Sequence, residues 1–178
     1  MRKVLFILGQ LTDSDVDWLA DHGSRRKIAR GETLIRHGTR PESMYIILDG
    51  AMSVVTSKGM RIARVASGDI LGEMSLLDSS PTVVSVVAEQ DCVLLDVPKA
   101  TLSAKLEEDV AFAARFYRAL GIFLTDRMRG TINRFGYGAE DEDPNAESMD
   151  EDELDIEVLD KLHLAGARFE RMLKKLAG

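Results

Sequence analysis

The sequence predicts a mainly β domain with flanking helices (α+β), built as an antiparallel β-roll or jelly-roll barrel and followed by a long helix. Two observations carry that expectation. From about residue 25 to 98, apolar runs of three to six residues alternate with turn residues, and after that the apolar period becomes that of a helix. Gly31, Gly38, Gly50, Gly59 and Gly68 punctuate the first region at the spacing of short strands.

Residues 12–21 read as a short helix, with Thr12 or Asp13 as its cap and Val16, Leu19 and Ala20 on one face. The predicted strands are Thr33–Ile35, Met44–Leu48, Met52–Val55, Ile62–Val65, Val83–Ala88 and Cys92–Val97. Pro98 suits a first helical turn, with Leu102 and Leu106 following at spacing four. Residues 109–135 contain no proline and carry an apolar stripe of Val110, Ala113, Phe116, Tyr117, Leu120, Phe123, Leu124, Met128 and Ile132. Such a helix is roughly 40 Å long, more than a small barrel needs, so its surplus face predicts a homodimer seam. Gly136-Tyr137-Gly138 ends it.

Charge divides the chain. Residues 1–138 hold 18 Lys/Arg and 17 Asp/Glu, a balance of +1, whereas residues 139–178 hold 5 and 13, a balance of −8, so the net −7 comes from the tail. The predicted organisation is a domain over residues 1–138, an acidic linker over 139–153, and an amphipathic helix over 154–178. The stripe of that last helix is Val158, Leu159, Leu162, Ala165, Phe169, Leu173 and Leu176, and Arg171, Lys174 and Lys175 sit at its end, favourable to the helix dipole. It cannot bury this stripe alone and must dock on the domain, on a second subunit or on a protein partner.

Several classes are excluded. One cysteine, Cys92, allows no intrachain disulfide and reads as an inert buried strand residue. It and the scattered His22, His37 and His163 show no metal-ligand spacing. No apolar run is long enough to span a membrane, and Arg2, Lys3 and Val4–Leu8 do not make a signal peptide, so a cytoplasmic protein is expected. No P-loop, G-x-G-x-x-G, G-x-S-x-G or H-E-x-x-H occurs, so no catalytic residue is assigned. Trp18 reads as helix packing, and Arg25, Arg26, Lys27 and Arg30, without interleaved aromatics, as a solvated surface.

Three segments follow one another in a telling order: Gly31-Glu32-x-Leu34-Ile35-x-x-Gly38, Met44-Tyr45-Ile46-Ile47-x-x-Gly50, and Gly68-Asp69-x-x-Gly72-Glu73-Met74-Ser75-Leu76. Together they resemble the cyclic-nucleotide-binding domain of catabolite activator proteins and protein kinase A regulatory subunits, over about residues 5–135. At closer range the N-terminal run, the Phe112–Ala119 segment and the Leu162–Arg171 ending look like small bacterial proteins labelled bacteriocin-type transport-associated. The resemblance implies cyclic AMP or cyclic GMP as ligand, and no other cofactor. It implies a phosphate cassette at Leu71, Gly72, Glu73, Met74 and Ser75, with Gly72 allowing close backbone approach and Glu73 accepting from a ribose hydroxyl.

The family places a phosphate-binding arginine eight to nine residues beyond that glutamate, after a proline. Here Pro81 is followed by Thr82 and Val83. Threonine has no charge and no bidentate fork, and the loss costs ~1.5–3 kcal/mol, or roughly 10- to 150-fold in affinity. Arg61 and Arg64, three residues apart on a predicted strand, point to opposite faces, so at most one can reach a pocket. Two readings follow. One is a ligand sensor with weak or altered nucleotide binding, whose long helix moves as a lid. The other is a ligand-independent dimerisation or protein-interaction module associated with a transport system. A DNA-binding role is not expected, because the acidic tail offers one helix and no basic docking face.

Overall fold

The computed structural model describes residues 7–78, 80–134 and 156–177. Residues 7–10 form a helical turn. Thr12 then caps α1 (Asp13–His22): its hydroxyl accepts from Asp15 N at 3.2 Å, and Asp15 Oδ2 accepts from Thr12 N at 2.7 Å. Val16, Leu19 and Ala20 are buried on the face the sequence predicts.

Eight strands follow: β1 (Ser24–Ile28), β2 (Thr33–Ile35), β3 (Ser43–Asp49), β4 (Ala51–Val55), β5 (Arg61–Ala66), β6 (Ile70–Leu71), β7 (Ser85–Ala88) and β8 (Cys92–Pro98). A single turn, α2 (Met74–Leu77), lies between β6 and β7. One sheet has the order β1-β8-β3-β6 and the other β2-β7-β4-β5. All pairings of the described strands are antiparallel and stay within their own sheet, so the roll is two facing sheets and not a closed barrel.

Strands β3 and β8 explain how the layers stack. Their side chains alternate between two cores. Met44, Ile46, Leu48, Leu95 and Val97 face the helices, while Tyr45, Ile47, Cys92 and Leu94 face the interior between the sheets. Both faces are therefore apolar, which is why these two stretches read as continuous apolar runs.

Two strands escaped the sequence pattern. β1 is the charged stretch Ser24-Arg25-Arg26-Lys27-Ile28, with only Ile28 buried. It is an edge strand, where charge suits solvent and deters pairing with other chains. β6 is two residues long, too short to carry a period. The expected strand over 83–88 begins only at Ser85, because Thr82 is hydrogen-bonded into the β2–β3 loop and Val83 stays exposed. Pro98 closes β8 opposite Ser43 and stands just before α3 (Lys99–Glu108).

Asp109 ends α3, and its carboxylate accepts from Phe112 N at 2.9 Å as α4 (Val110–Arg134) begins. Phe112, Phe116, Ala119, Leu120 and Phe123 pack against the roll. The apolar stripe of this helix is thus mostly spent on its own core, and Val110, Tyr117 and Met128 remain as its large exposed apolar residues. Trp18 of α1 meets the Phe112 ring at 5.7 Å and stacks on His22 at 4.3 Å. The last helix, α5 (Ile156–Ala177), docks on α1, burying Ala165 and Met172. The predicted helix end at 136–138 and the acidic linker 139–153 lie outside the described residues, as do the side chains of Ile132, Val158, Leu159 and Leu162.

Arg115 joins α4 to α1. Its Nε and Nη2 donate to the two Asp15 oxygens at 2.7 and 2.9 Å, and the Asp15 side chain is only 5% exposed. Burial works to raise the Asp15 carboxyl, but the bonds from Arg115 and Thr12 and the Arg115 charge win and hold it below its ordinary value. A depressed native value gives stability that is present above the unfolded value and lost as pH falls through the native one. Asp15→Asn is expected to lower stability by about 2–4 kcal/mol at neutral pH, with the gap to wild type narrowing below about pH 4. Urea denaturation across pH checks this, and equal stabilities at pH 7 would refute it.

Candidate functional site

The cassette is built where the chain leaves β5 and turns back under β3. Gly68, at φ +92°, donates to Ile47 O at 2.7 Å, and Ile47 N donates to Asp69 O at 3.0 Å. The buried Asp69 carboxylate accepts from Ala66 N at 2.8 Å, which closes the turn. Leu71 then points into the core between the sheets.

Gly72 has φ +79°, and a β-carbon there would stand 2.5 Å from the Ser43 carbonyl oxygen. Both the conformation and the space demand glycine. This close approach presses the cassette onto β3. Ser75 continues the contact: its hydroxyl donates to Gly72 O at 2.7 Å and lies 3.4 Å from Pro41 O.

Glu73 is 2% exposed, and its Oε1 accepts from Arg127 Nη1 of α4 at 2.6 Å. Burial pushes the Glu73 carboxyl above its ordinary value, with the Arg127 charge and the residue's own backbone N–H pulling the other way. The guanidinium also lies 5.4 Å from the Phe123 ring, which anchors it on its own helix. The carboxylate that the sequence marks as a ribose acceptor is therefore already held by a cation from the long helix. Arg127 was not found by sequence reasoning. It lies 54 positions from Glu73, on an element of different period, and no spacing rule joins them.

The other predicted site residues are arranged differently. Met74 and Leu77 of α2 are exposed, as is Val83 at 77%. Thr82 faces the β2–β3 loop: its hydroxyl lies 3.0 Å from Arg36 O and 3.2 Å from Val84 O, its N–H donates to Thr39 O, and its carbonyl accepts from Gly38 N. Its one hydroxyl proton is thus taken up by backbone carbonyls. Gly72 and Ser75 come together against Ser43 and Pro41, whereas the hydrogen bonds of Thr82 tie it to residues 36–39 and to Val84.

Arg61 and Arg64, expected on opposite faces, meet at one carboxylate, because the β4–β5 register shifts between Ala63 and Arg61. Both pair with Glu89, at 3.3 and 2.8 Å, and Ser53 donates to the same carboxylate. Arg26 pairs with Asp96 across β1 and β8 at 3.3 Å. Cys92 is buried beside Ala51 and Gln90 carbonyls, and burial pushes its thiol up. A surface groove of about 480 Å³ runs along Lys27–Ala29, Asp49 and Asp91–Val93, away from the cassette. Among the described residues no group of three or more His, Cys, Asp or Glu is placed to hold a metal ion.

Residues 25–109 match the family model of the cyclic nucleotide-binding domain. A cAMP-dependent protein kinase regulatory subunit from Blastocladiella emersonii is 24% identical over 118 residues, covering 64% of this chain and 29% of the relative. The chain spans less than a third of the curated relatives it matches first. A solved cyclic nucleotide-binding domain from Methylobacillus flagellatus KT superposes with TM-score 0.67 at 24% identity, over 75% of this chain and 80% of that one. The global regulator CLP of Xanthomonas campestris, described as c-di-GMP responsive, gives TM-score 0.63 at 21% identity, over 72% and 65%. At these identities the two structures show the fold alone.

Glycine substitutions test the seating of the cassette. Gly31 also has positive φ, at +83°, but open space around it. Gly31→Ala is expected to cost about 1 kcal/mol from backbone strain, and Gly72→Ala about 3 kcal/mol, because Ser43 must also move. Equal losses in chemical denaturation would contradict the close approach.

Proposed function

We propose that the segment matching the cyclic nucleotide-binding model, residues 25–109, works in this chain as a non-catalytic regulatory module with weak or altered cyclic nucleotide binding. The observation that carries this reading is the buried Glu73 held by Arg127 of α4. A ligand hydroxyl that donates to Glu73 shares the carboxylate with that guanidinium and draws on its negative charge. Occupation of the cassette thereby changes how α4 is held, which is the differential interaction a sensor requires. Cyclic AMP and cyclic GMP are the ligands proposed, since each carries a ribose hydroxyl and an anionic phosphate.

Affinity is low in this reading because position 82 offers a neutral hydroxyl already bonded to carbonyls. No charge-assisted contact comes from there to a phosphate. DNA is not a partner in this reading, since Arg168, Arg171 and Lys175 of α5 are engaged by carboxylates of α1. A cytoplasmic setting is proposed as well. No helix among the described residues is long and apolar enough to cross a membrane.

A second reading has its own support. Val110, Ala114, Tyr117, Gly121, Leu124 and Met128 recur along α4 at alternating intervals of four and three. That is the heptad spacing of a two-helix seam. Five of the six are exposed, Leu124 is half-buried, and nothing lies within 4 Å of where a Gly121 side chain would begin. This face suits a second copy of the chain, giving a ligand-independent dimerisation module, in which α5 meets a protein partner of a transport system.

Calorimetric titration with cyclic AMP and cyclic GMP separates the readings. Wild type is expected to bind weakly, and Thr82→Arg to tighten binding roughly 10- to 150-fold. If neither form binds, the nucleotide reading fails. Light scattering at tens of micromolar is expected to give a dimer that Tyr117→Glu converts to a monomer, and a monomeric wild type ends the seam.

A further inference from the structure

The four aspartates of α1 divide between two opposite faces. Asp13, Asp17 and Asp21 recur every four residues and share one face, whereas Asp15, two positions from Asp13, lies about 200° round the helix. Like charges at that spacing repel, so the three-aspartate face needs cations against it. α5 supplies them. Arg168 Nε donates to Asp13 at 2.7 Å, Arg171 makes a bidentate pair with Asp17 at 2.8 and 2.6 Å, and Lys175 reaches Asp21 at 2.6 Å. Arg168 also donates to Leu8 O at 3.0 Å, and Lys175 lies 3.4 Å from Asp17 O.

This attachment is weaker in kind than that of α4. Three phenylalanines of α4 are fully buried, but α5 buries only Ala165 and Met172 completely among its described side chains. The charge pairs are partly open to water: Asp13 is 60% exposed, Asp21 and Arg171 each 53%. Such pairs are screened by salt.

The opposite face of α1 is gripped differently. Asp15 is buried and bound bidentately by Arg115 of α4. Twelve residues further along the same helix, about 18 Å away, Arg127 holds Glu73 of the cassette. We propose that α5 is a releasable latch on the acidic face of α1, and that its release is governed from the cassette through α4 by the Glu73–Arg127 and Asp15–Arg115 pairs. A helix carrying both arginines moves as one body, so losing the contact at one end shifts the anchor of α1 at the other. The latch goes beyond nucleotide binding and is tested without any ligand.

Hydrogen exchange of the full chain, read by mass spectrometry, is the test. Raising NaCl from about 0.05 to about 0.5 M is expected to speed exchange in peptides over 163–176 by about tenfold, while peptides of β8 keep their rates. Arg171→Ala with Lys175→Ala gives the same pattern at low salt. Arg127→Gln, or Glu73→Gln if the first fails to fold, is expected to speed α5 as well as the cassette. Arg64→Gln, which breaks a pair on the far hairpin, leaves α5 unchanged. If α5 ignores both salt and the double variant, apolar packing holds it and there is no latch. If it answers to these but not to Arg127→Gln or Glu73→Gln, the link to the cassette is overturned.

Discussion

Strands β3 and β8 bury both of their faces, and the rest of the molecule follows from that. A β-strand alternates its side chains, so a strand apolar on both sides needs two apolar layers. Tyr45, Ile47, Cys92 and Leu94 supply one side and draw the second sheet over them. Met44, Ile46, Leu48, Leu95 and Val97 supply the other and call for the helices. The helical layer is thus a requirement of the sheet and not an appendage to it. It also brings α4 across the cassette, and so lets a side chain from residue 127 reach residue 73.

Charge is used in two distinct ways on this scaffold. Where α4 meets α1 and the cassette, single buried carboxylates are matched by single guanidinium groups: Asp15 by Arg115, Glu73 by Arg127. A buried carboxylate deprived of its partner leaves an uncompensated charge in low dielectric, so such pairs fix geometry strongly. Where α5 meets α1, several half-exposed pairs share the work, and each contributes little. The first kind sets where α1 and α4 lie. The second kind holds an element that water and salt can reach.

Much of this was legible in the residues. Of the two caps the sequence offers, Thr12 and Asp13, the structure uses Thr12; the glycine rhythm gave the roll, and Gly72 marked the turn that seats on Ser43. What stayed hidden has a common cause. β1 was hidden because an edge strand needs one buried residue, Ile28, and its charges resemble a solvated loop. How the α4 stripe divides between core and surface was equally hidden, because a sequence shows which residues are apolar, not how much surface lies beneath them. Phe112, Phe116, Leu120 and Phe123 are buried by a neighbour the stripe cannot reveal.

The sequence by itself determined six of the eight described strands, the start of α1 and the glycines at the turns, because each is a local property, written within a few residues by period, cap or φ. It also determined that position 82 carries no cation. Only the tertiary structure decided that Glu73 meets Arg127, that Asp15 meets Arg115, and that Asp13, Asp17 and Asp21 are covered by α5. Those partners stand 54, 100 and about 154 positions apart. A pairing over such distances leaves no periodic trace in the chain. It arises when apolar layers close and bring an arginine beside a carboxylate, one that is buried at Asp15 and Glu73 and half in water at Asp13 and Asp21.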